Sequence, residues 1–436
     1  MKKNKIFSTS GITLITLIVT IIVLIILASI TLYMTLSDDG IIRKALRSKE
    51  EIQNEINDQQ GTAGDIYNNL INEHGLLPVI VPEGFTLSEN TGVTIEEGIV
   101  IVDRDGNEFV WVPVKTPVLD LSHLATETDR KITLESQIAQ GIYPMAVKLQ
   151  DGNYIGVLYE FSLDTSITPN KVKIQLLSTT QPEYREPDIL TDSTDGDAAV
   201  TTGKEIKGIK LLTDVVGIIG KDNQEILDNW DKQLKDDFND MVEKVKNRGG
   251  FWVGRYETSL ATNTIDGVEM QVVQSKPNQL PMTSEINSAN TWYGIYKLQR
   301  ENYKSAKSVT SAMIWGSQWD QMAIWMKEVR NVNSTSRHFY ILDGSKMGWY
   351  NDNYLSGNPA HKTGIPVDNN VSNRVRNIYD LSGNMYSWTQ EVNSTNSRVV
   401  RGGNYTNRST SYVVGNRWYT FPYMKGDSYG SRLVLY

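Results

Sequence analysis

The chain has no cysteine in 436 residues. That absence removes disulfides, thiolate nucleophiles, thiolate metal sites and iron–sulfur clusters together. Histidine is nearly as scarce, and His74, His123, His338 and His361 are scattered without the close spacing of a histidine metal site. No Gly-x-Ser-x-Gly elbow occurs, so acyl transfer has no nucleophile signature. No repeat of fixed period occurs either. Beyond the first few residues there is no basic run, and Lys+Arg 43 against Asp+Glu 51 leaves a net charge of −8. Nucleic acid is therefore excluded as an expected partner. What is present is a globular composition, 39% hydrophobic and 22% charged with 10 Trp and 21 Tyr, enough for one large or two ordinary cores.

One long apolar run stands out. From Ile12 to Leu36 there are 25 residues without a charge, which as a helix exceeds a hydrocarbon core of roughly 30 Å. Lys2, Lys3 and Lys5 precede it and Asp38 and Asp39 follow, so the positive-inside bias predicts a single-pass anchor with everything after Leu36 outside the cell. A cleaved secretory signal is the alternative, with a shorter apolar core than this one. The short basic leader ending in Gly11-Ile12-Thr13-Leu14-Ile15 resembles a type IV prepilin N-terminus. The resemblance implies cleavage between Gly11 and Ile12 by a prepilin peptidase, and possible dealings with pilus machinery. Pilins carry a glutamate at the fifth mature position, where this chain has Thr16. Beyond the membrane, Ile41, Ala45, Ile52 and Ile56 share one stripe amid charged residues, the pattern of a helical stalk over 37–77.

Further along, Ile99–Val102 and Phe109–Pro113 flank Asp103-Arg-Asp-Gly-Asn107, which predicts a β-hairpin. Asp103, Asp105 and Glu108 invite a calcium loop but lack the ligand spacing of an EF-hand, so the turn reads as solvated. Residues 116 to 221 are polar, with strand-like Tyr154–Tyr159 and an acidic loop at Asp192, Asp195 and Asp197. They read as an elaboration without a chemical signature. Gly217–Asp222 glances at a phosphate loop but has the wrong glycine spacing and Asp where Ser or Thr is needed. Leu227, Trp230, Leu234, Phe238, Met241 and Val245 recur at steps of three and four between Asn223 and Arg248, before Gly249-Gly250. This predicts an amphipathic helix with a glycine stop. Ser317-Gln-Trp-Asp320 looks like a capping-box start to a second helix carrying Trp319, Met322, Ala323 and Met326.

Four landmarks then stand in order: Gly250-Phe-Trp-Val-Gly-Arg-Tyr-Glu257, the tryptophan helix near Trp315 to Met326, Asn377-Ile-Tyr-Asp-Leu-Ser-Gly-Asn-Met-Tyr-Ser-Trp388, and Arg398-Val-Val-Arg-Gly-Gly403 with a closing Tyr429–Val434. Together they resemble the formylglycine-generating-enzyme (sulfatase-modifying factor) family, most strongly over 250–436. The resemblance implies a C-type-lectin-like fold. The family's enzymes oxidise a substrate cysteine with paired cysteines and copper, and iron-dependent relatives use a histidine triad. Neither set exists here, so no catalytic residue is expected and no enzyme. Family members also hold structural calcium, which by position implicates Asp380, Gly383 and Met385, with Ser387 where a glutamate ligand would stand. No other cofactor is implied.

A surface remains. Between Arg401 and Tyr436 there are 8 aromatics in 36 residues, against 39 in 436 for the chain, interleaved with Asn, Ser and Arg, the palette of adaptable binding faces. Asn404, Tyr405, Asn407, Tyr412, Asn416, Arg417, Tyr419 and Tyr423 are the candidate ligand residues. Trp418 and Phe421 read equally well as core, and Trp388 as support from beneath. The stretch between Arg-Gly-Gly and the final strand resembles the variable segment of proteins diversified by retroelements. The expectation is an α+β chain, an irregular C-type-lectin-like (formylglycine-generating-enzyme-like) domain over 78–436 behind an N-terminal transmembrane helix and helical stalk. It would bind an extracellular protein or glycan. A minor pilin or pseudopilin with a large head is the structural rival, against which Thr16 argues, and an enzyme would need an active site that the sequence does not display.

Overall fold

Phe109, Val110, Trp111 and Val112 are apolar in unbroken succession, which suits a strand covered on both faces. In the computed structural model all four are buried in the principal sheet. The structure describes residues 79–88, 95–166, 171–177, 186–188, 223–265, 268–282, 291–304, 308–326, 374–394, 397–405, 413–422 and 426–436, with single residues or pairs at 306, 329–330, 337–338 and 424.

Along the chain, β1 (Phe85–Leu87), β2 (Val100–Asp103) and β3 (Glu108–Pro113) form an antiparallel meander. An outlying layer follows, with β4 (Val118–Asp120), helix α1 (Glu127–Ala139), β5 (Ala146–Lys148), β6 (Tyr154–Gly156), β7 (Tyr159–Asp164) and β8 (Lys171–Leu176). Helix α2 (Asn223–Arg248) leads into β9 (Gly250–Gly254), and β10 (Ser259–Ile265) pairs with β11 (Val268–Gln274). Next come α3 (Trp292–Glu301), β12 (Ser311–Met313) and α4 (Gly316–Met326). Short pairs join β13 (Val329–Arg330) to β14 (Arg337–His338) and β15 (Arg374–Val375) to β16 (Ile378–Tyr379). The last strands are β17 (Tyr386–Ser394), β18 (Ser397–Arg401), β19 (Arg417–Thr420), β20 (Tyr429–Ser431) and β21 (Leu433–Leu435).

The architecture is mixed α+β, mostly sheet. The principal sheet runs β1-β2-β3-β9-β21-β12, with Trp111 opposite Trp252 across β3 and β9 and their rings 5.0 Å apart. The second sheet runs β19-β18-β17-β20, parallel only between β17 and β20.

The predicted amphipathic helix is α2, with the bounds that its periodicity gave. Trp230, Leu234, Phe238, Met241 and Val245 are buried, and Gly249 ends it with φ +75. On its outer face Lys232–Asp236, Asp231–Lys235 and Asp240–Lys244 pair at i,i+4 spacing, worth a few tenths of a kcal/mol each. The predicted hairpin is β2–β3. Asp103 Oδ1 accepts from the amides of Asp105 and Asn107 at 2.9 and 2.8 Å, an Asx-type turn that uses the carboxylate on the backbone.

The tryptophan helix α4 departs from expectation at its start. Ser317 is inside the helix and buried, not its cap, and Asp320 is buried among arginines. The cap comes from Glu186, outside the helix.

Among the described residues no helix is long and apolar enough to cross a membrane. Gly11, Ile12, the run to Leu36, the stalk, the acidic loop at Asp192, Asp195 and Asp197, Gly217–Asp222, His74 and His361 lie outside the described residues.

Candidate ligand-binding face

The second sheet rests on a closed set of buried charges. Asp320 of α4 accepts from Arg401 Nη2 at 2.6 Å and from Arg417 Nη2. Glu391 of β17 accepts from Arg417 Nε at 3.0 Å, with Arg401 Nη1 at 3.4 Å. The Tyr159 amide also donates to Asp320 at 2.8 Å, and Arg417 Nη1 donates back to the Tyr159 carbonyl. Two cations thus balance two anions, and Asp320, Glu391 and Arg401 are fully buried. Burial, then the like charge of Arg417, lowers the Arg401 pKa. Burial opposes the charge of Arg417 too, but Asp320 and Glu391 outweigh it and hold its pKa up. Such a cluster is stable because every member is paired.

A third carboxylate lies beside this set. Glu186, in the stretch that carried no signature in the sequence, accepts from the amides of Gly316 and Ser317, the latter at 2.9 Å. It thereby caps α4 by accepting from two of the helix's first amides. A Cβ at Gly316 would lie 2.5 Å from Glu391 Oε2 and 2.8 Å from Glu186 Oε1, so the helix must start on glycine to admit both carboxylates. Burial first, and the charge of Glu391 second, push the Glu186 pKa from 4.5 to about 8, against the pull of the Ser317 and Gly316 amides. A carboxyl raised in this way binds more protons folded than unfolded between those two values, so its contribution to stability falls as pH rises through that window. We expect stability to drop by on the order of 3 kcal/mol between about pH 5 and pH 9. Urea unfolding across that range tests it: Glu186→Gln should flatten the profile, and an unchanged slope would remove Glu186 as its origin.

The structure divides the candidate ligand residues. Asn404 and Tyr405 are buried, at 5% and 4% exposure, and this corrects their assignment to a surface. The reason is local: Gly402 has φ +77, and a Cβ there would meet the Leu381 carbonyl at 2.3 Å. The chain therefore turns back onto the 381–385 loop, where Tyr405 donates its amide to the Asn384 carbonyl and packs on Met385. Arg417 faces inward, as above, and is likewise corrected from ligand contact to anchor. Asn416 is half-buried and donates Nδ2 to the Gly402 carbonyl at 3.1 Å. Tyr419 is exposed at 53%. Asn407, Tyr412 and Tyr423 lie outside the described residues.

Sequence reasoning left Trp418 between core and surface, and the structure exposes it at 49%. Its ring stacks on that of Tyr419, centroids 5.8 Å apart and planes 18° apart. Among the described aromatic residues these two are the exposed ones. Trp388 lies fully buried in β17, 5.4 Å from the Tyr429 ring, the supporting place expected of it.

The positions expected to hold calcium, Asp380, Gly383, Met385 and Ser387, all lie among the described residues. The Asp380 carbonyl accepts from Arg432 Nη2 at 2.9 Å, and the Gly383 carbonyl accepts from the Met385 amide at 2.8 Å. That amide also reaches Glu257 Oε1 at 3.0 Å, and Asn384 Nδ2 donates to the same carboxylate. Ser387 is committed to β17, paired with Gly430 and Arg401. Arg432 is fully buried, and the negative charges of Glu257 and Asp380 act on it directly. Calcium needs six to eight oxygens; here the Gly383 carbonyl already accepts from the Met385 amide, and the buried Arg432 guanidinium places a positive charge beside Asp380.

No family model matches this chain, and no curated protein does. Among solved structures it is similar to PvdO from Pseudomonas aeruginosa, at TM-score 0.29 and 14% identity over 43% of this chain and 81% of that one. CarF follows at 0.27 and 14%, over 42% and 85%. Treponema denticola variable protein 1 gives 0.25 and 13%, over 42% and 95%.

Proposed function

We propose that the chain is a bacterial membrane-anchored surface protein whose C-type-lectin-like module, without catalytic chemistry, binds a protein or glycan outside the cell. The observation that carries the binding half is the Trp418–Tyr419 pair, which leaves two large aromatic side chains in solvent on a strand whose first residue is tied into buried charges. Exposed aromatics held on a rigid support have the character of binding anchors rather than of packing. The anchor half rests on the uncharged run from Ile12 to Leu36 and the basic residues before it. Full-length protein should stay with membranes through a carbonate wash. Purified in detergent, it should bind saturably to a spot on a combined glycan and protein array, with Trp418→Ala and Tyr419→Ala weakening the signal. Release by carbonate would overturn the anchor, and a blank array the binding role.

A further inference from the structure

We infer that Trp418 and Tyr419 form a platform for a neutral carbohydrate, an inference that rests on the binding role proposed above and names its ligand class. Neighbouring side chains leave a strand on opposite faces, yet these rings meet at 5.8 Å with planes 18° apart. β18 closes one side of β19, and among the described strands β19 is the last of its sheet. The two stacked, half-exposed rings make an apolar strip on this edge strand.

Two observations choose the occupant. The first is charge. From Trp418 to Pro422 no residue is ionisable at neutral pH, and Arg417, the charged residue of β19, spends its guanidinium on Glu391, Asp320 and the Tyr159 carbonyl. Among the described residues the strip has no charge to offer an ionic ligand. The second is area. A Trp or Tyr presents about 150–250 Å² in full, and these are half exposed, so the pair offers about 200 Å² against about 800 Å² per partner in a stable protein interface. A pyranose suits both limits: it is uncharged, about the size of one aromatic ring, and lays polarised C–H bonds on the electron-rich ring face.

The test is titration of full-length protein, in a detergent without a sugar head group, with cellohexaose and chitohexaose, followed by calorimetry. Saturable binding of at least one is expected. Trp418→Ala and Tyr419→Ala should each weaken it about tenfold or more, and Trp418→Phe should weaken it less than Trp418→Ala. Thermal unfolding should be unchanged in all three variants, since both side chains are exposed. Absence of binding to both sugars at about 10 mM, or binding that survives Trp418→Ala, would overturn the inference. So would binding confined to an acidic polysaccharide such as polygalacturonate. If the array reports a protein ligand while both sugars fail, the carbohydrate assignment falls and the binding role stands.

Discussion

Asp320→Ala is expected to cost about 3–5 kcal/mol of stability, because removing one partner of a buried ion pair leaves the other charge unpaired in the interior. Here the single change strips a partner from both Arg401 and Arg417, as well as the acceptor of the Tyr159 amide. Urea unfolding measures it. The double variant Asp320→Leu with Arg401→Met keeps the charges balanced, since Glu391 still faces Arg417, and it should recover a good part of the loss. A loss below about 1 kcal/mol in Asp320→Ala would mean that water already compensates these charges.

Trp388→Ala should have a comparable effect, about 3–5 kcal/mol for a large aromatic removed from a closed core. Trp388 lies in β17 between β18 and β20, fully buried against Tyr429. Among the described residues its indole N–H has no hydrogen-bond partner, so nothing polar is lost with the ring and Trp388→Phe should cost much less than Trp388→Ala. If Phe and Ala prove equally damaging, ring packing is not what Trp388 provides. A fall in sugar or array binding that exceeds the unfolded fraction would instead place Trp388 at the ligand.

Local regularity decided what the sequence revealed. The period of Trp230, Leu234, Phe238, Met241 and Val245 fixes α2, and the turn chemistry of Asp103 and Asn107 fixes the β2–β3 hairpin, because each signal lies within a few residues. The α+β class follows from such pieces. The charges beneath β19 were not legible for the opposite reason. Asp320, Glu391, Arg401 and Arg417 lie on a helix and three strands, and no short spacing joins them. Asp320 therefore looked like part of a helix cap, and Arg417, in an aromatic and asparagine-rich segment, like a ligand contact. Glu186 sits in a polar stretch with no motif, though it supplies the cap that Ser317 does not. The misplacement of Asn404 and Tyr405 has a narrower cause, the left-handed turn at Gly402, whose direction composition does not encode.

Strand β21 sits inside the principal sheet, between β9 and β12 rather than at a margin. It is synthesised after every other described strand, and both of its neighbours precede it by more than a hundred residues. Until Leu433, Val434 and Leu435 leave the ribosome, β9 and β12 have a gap between them that no earlier described strand fills. Pairings across such sequence distances are slow to form, and an unfilled strand edge in a waiting chain invites the wrong partner. The nascent chain must therefore be kept from aggregating until β21 is available to close this sheet.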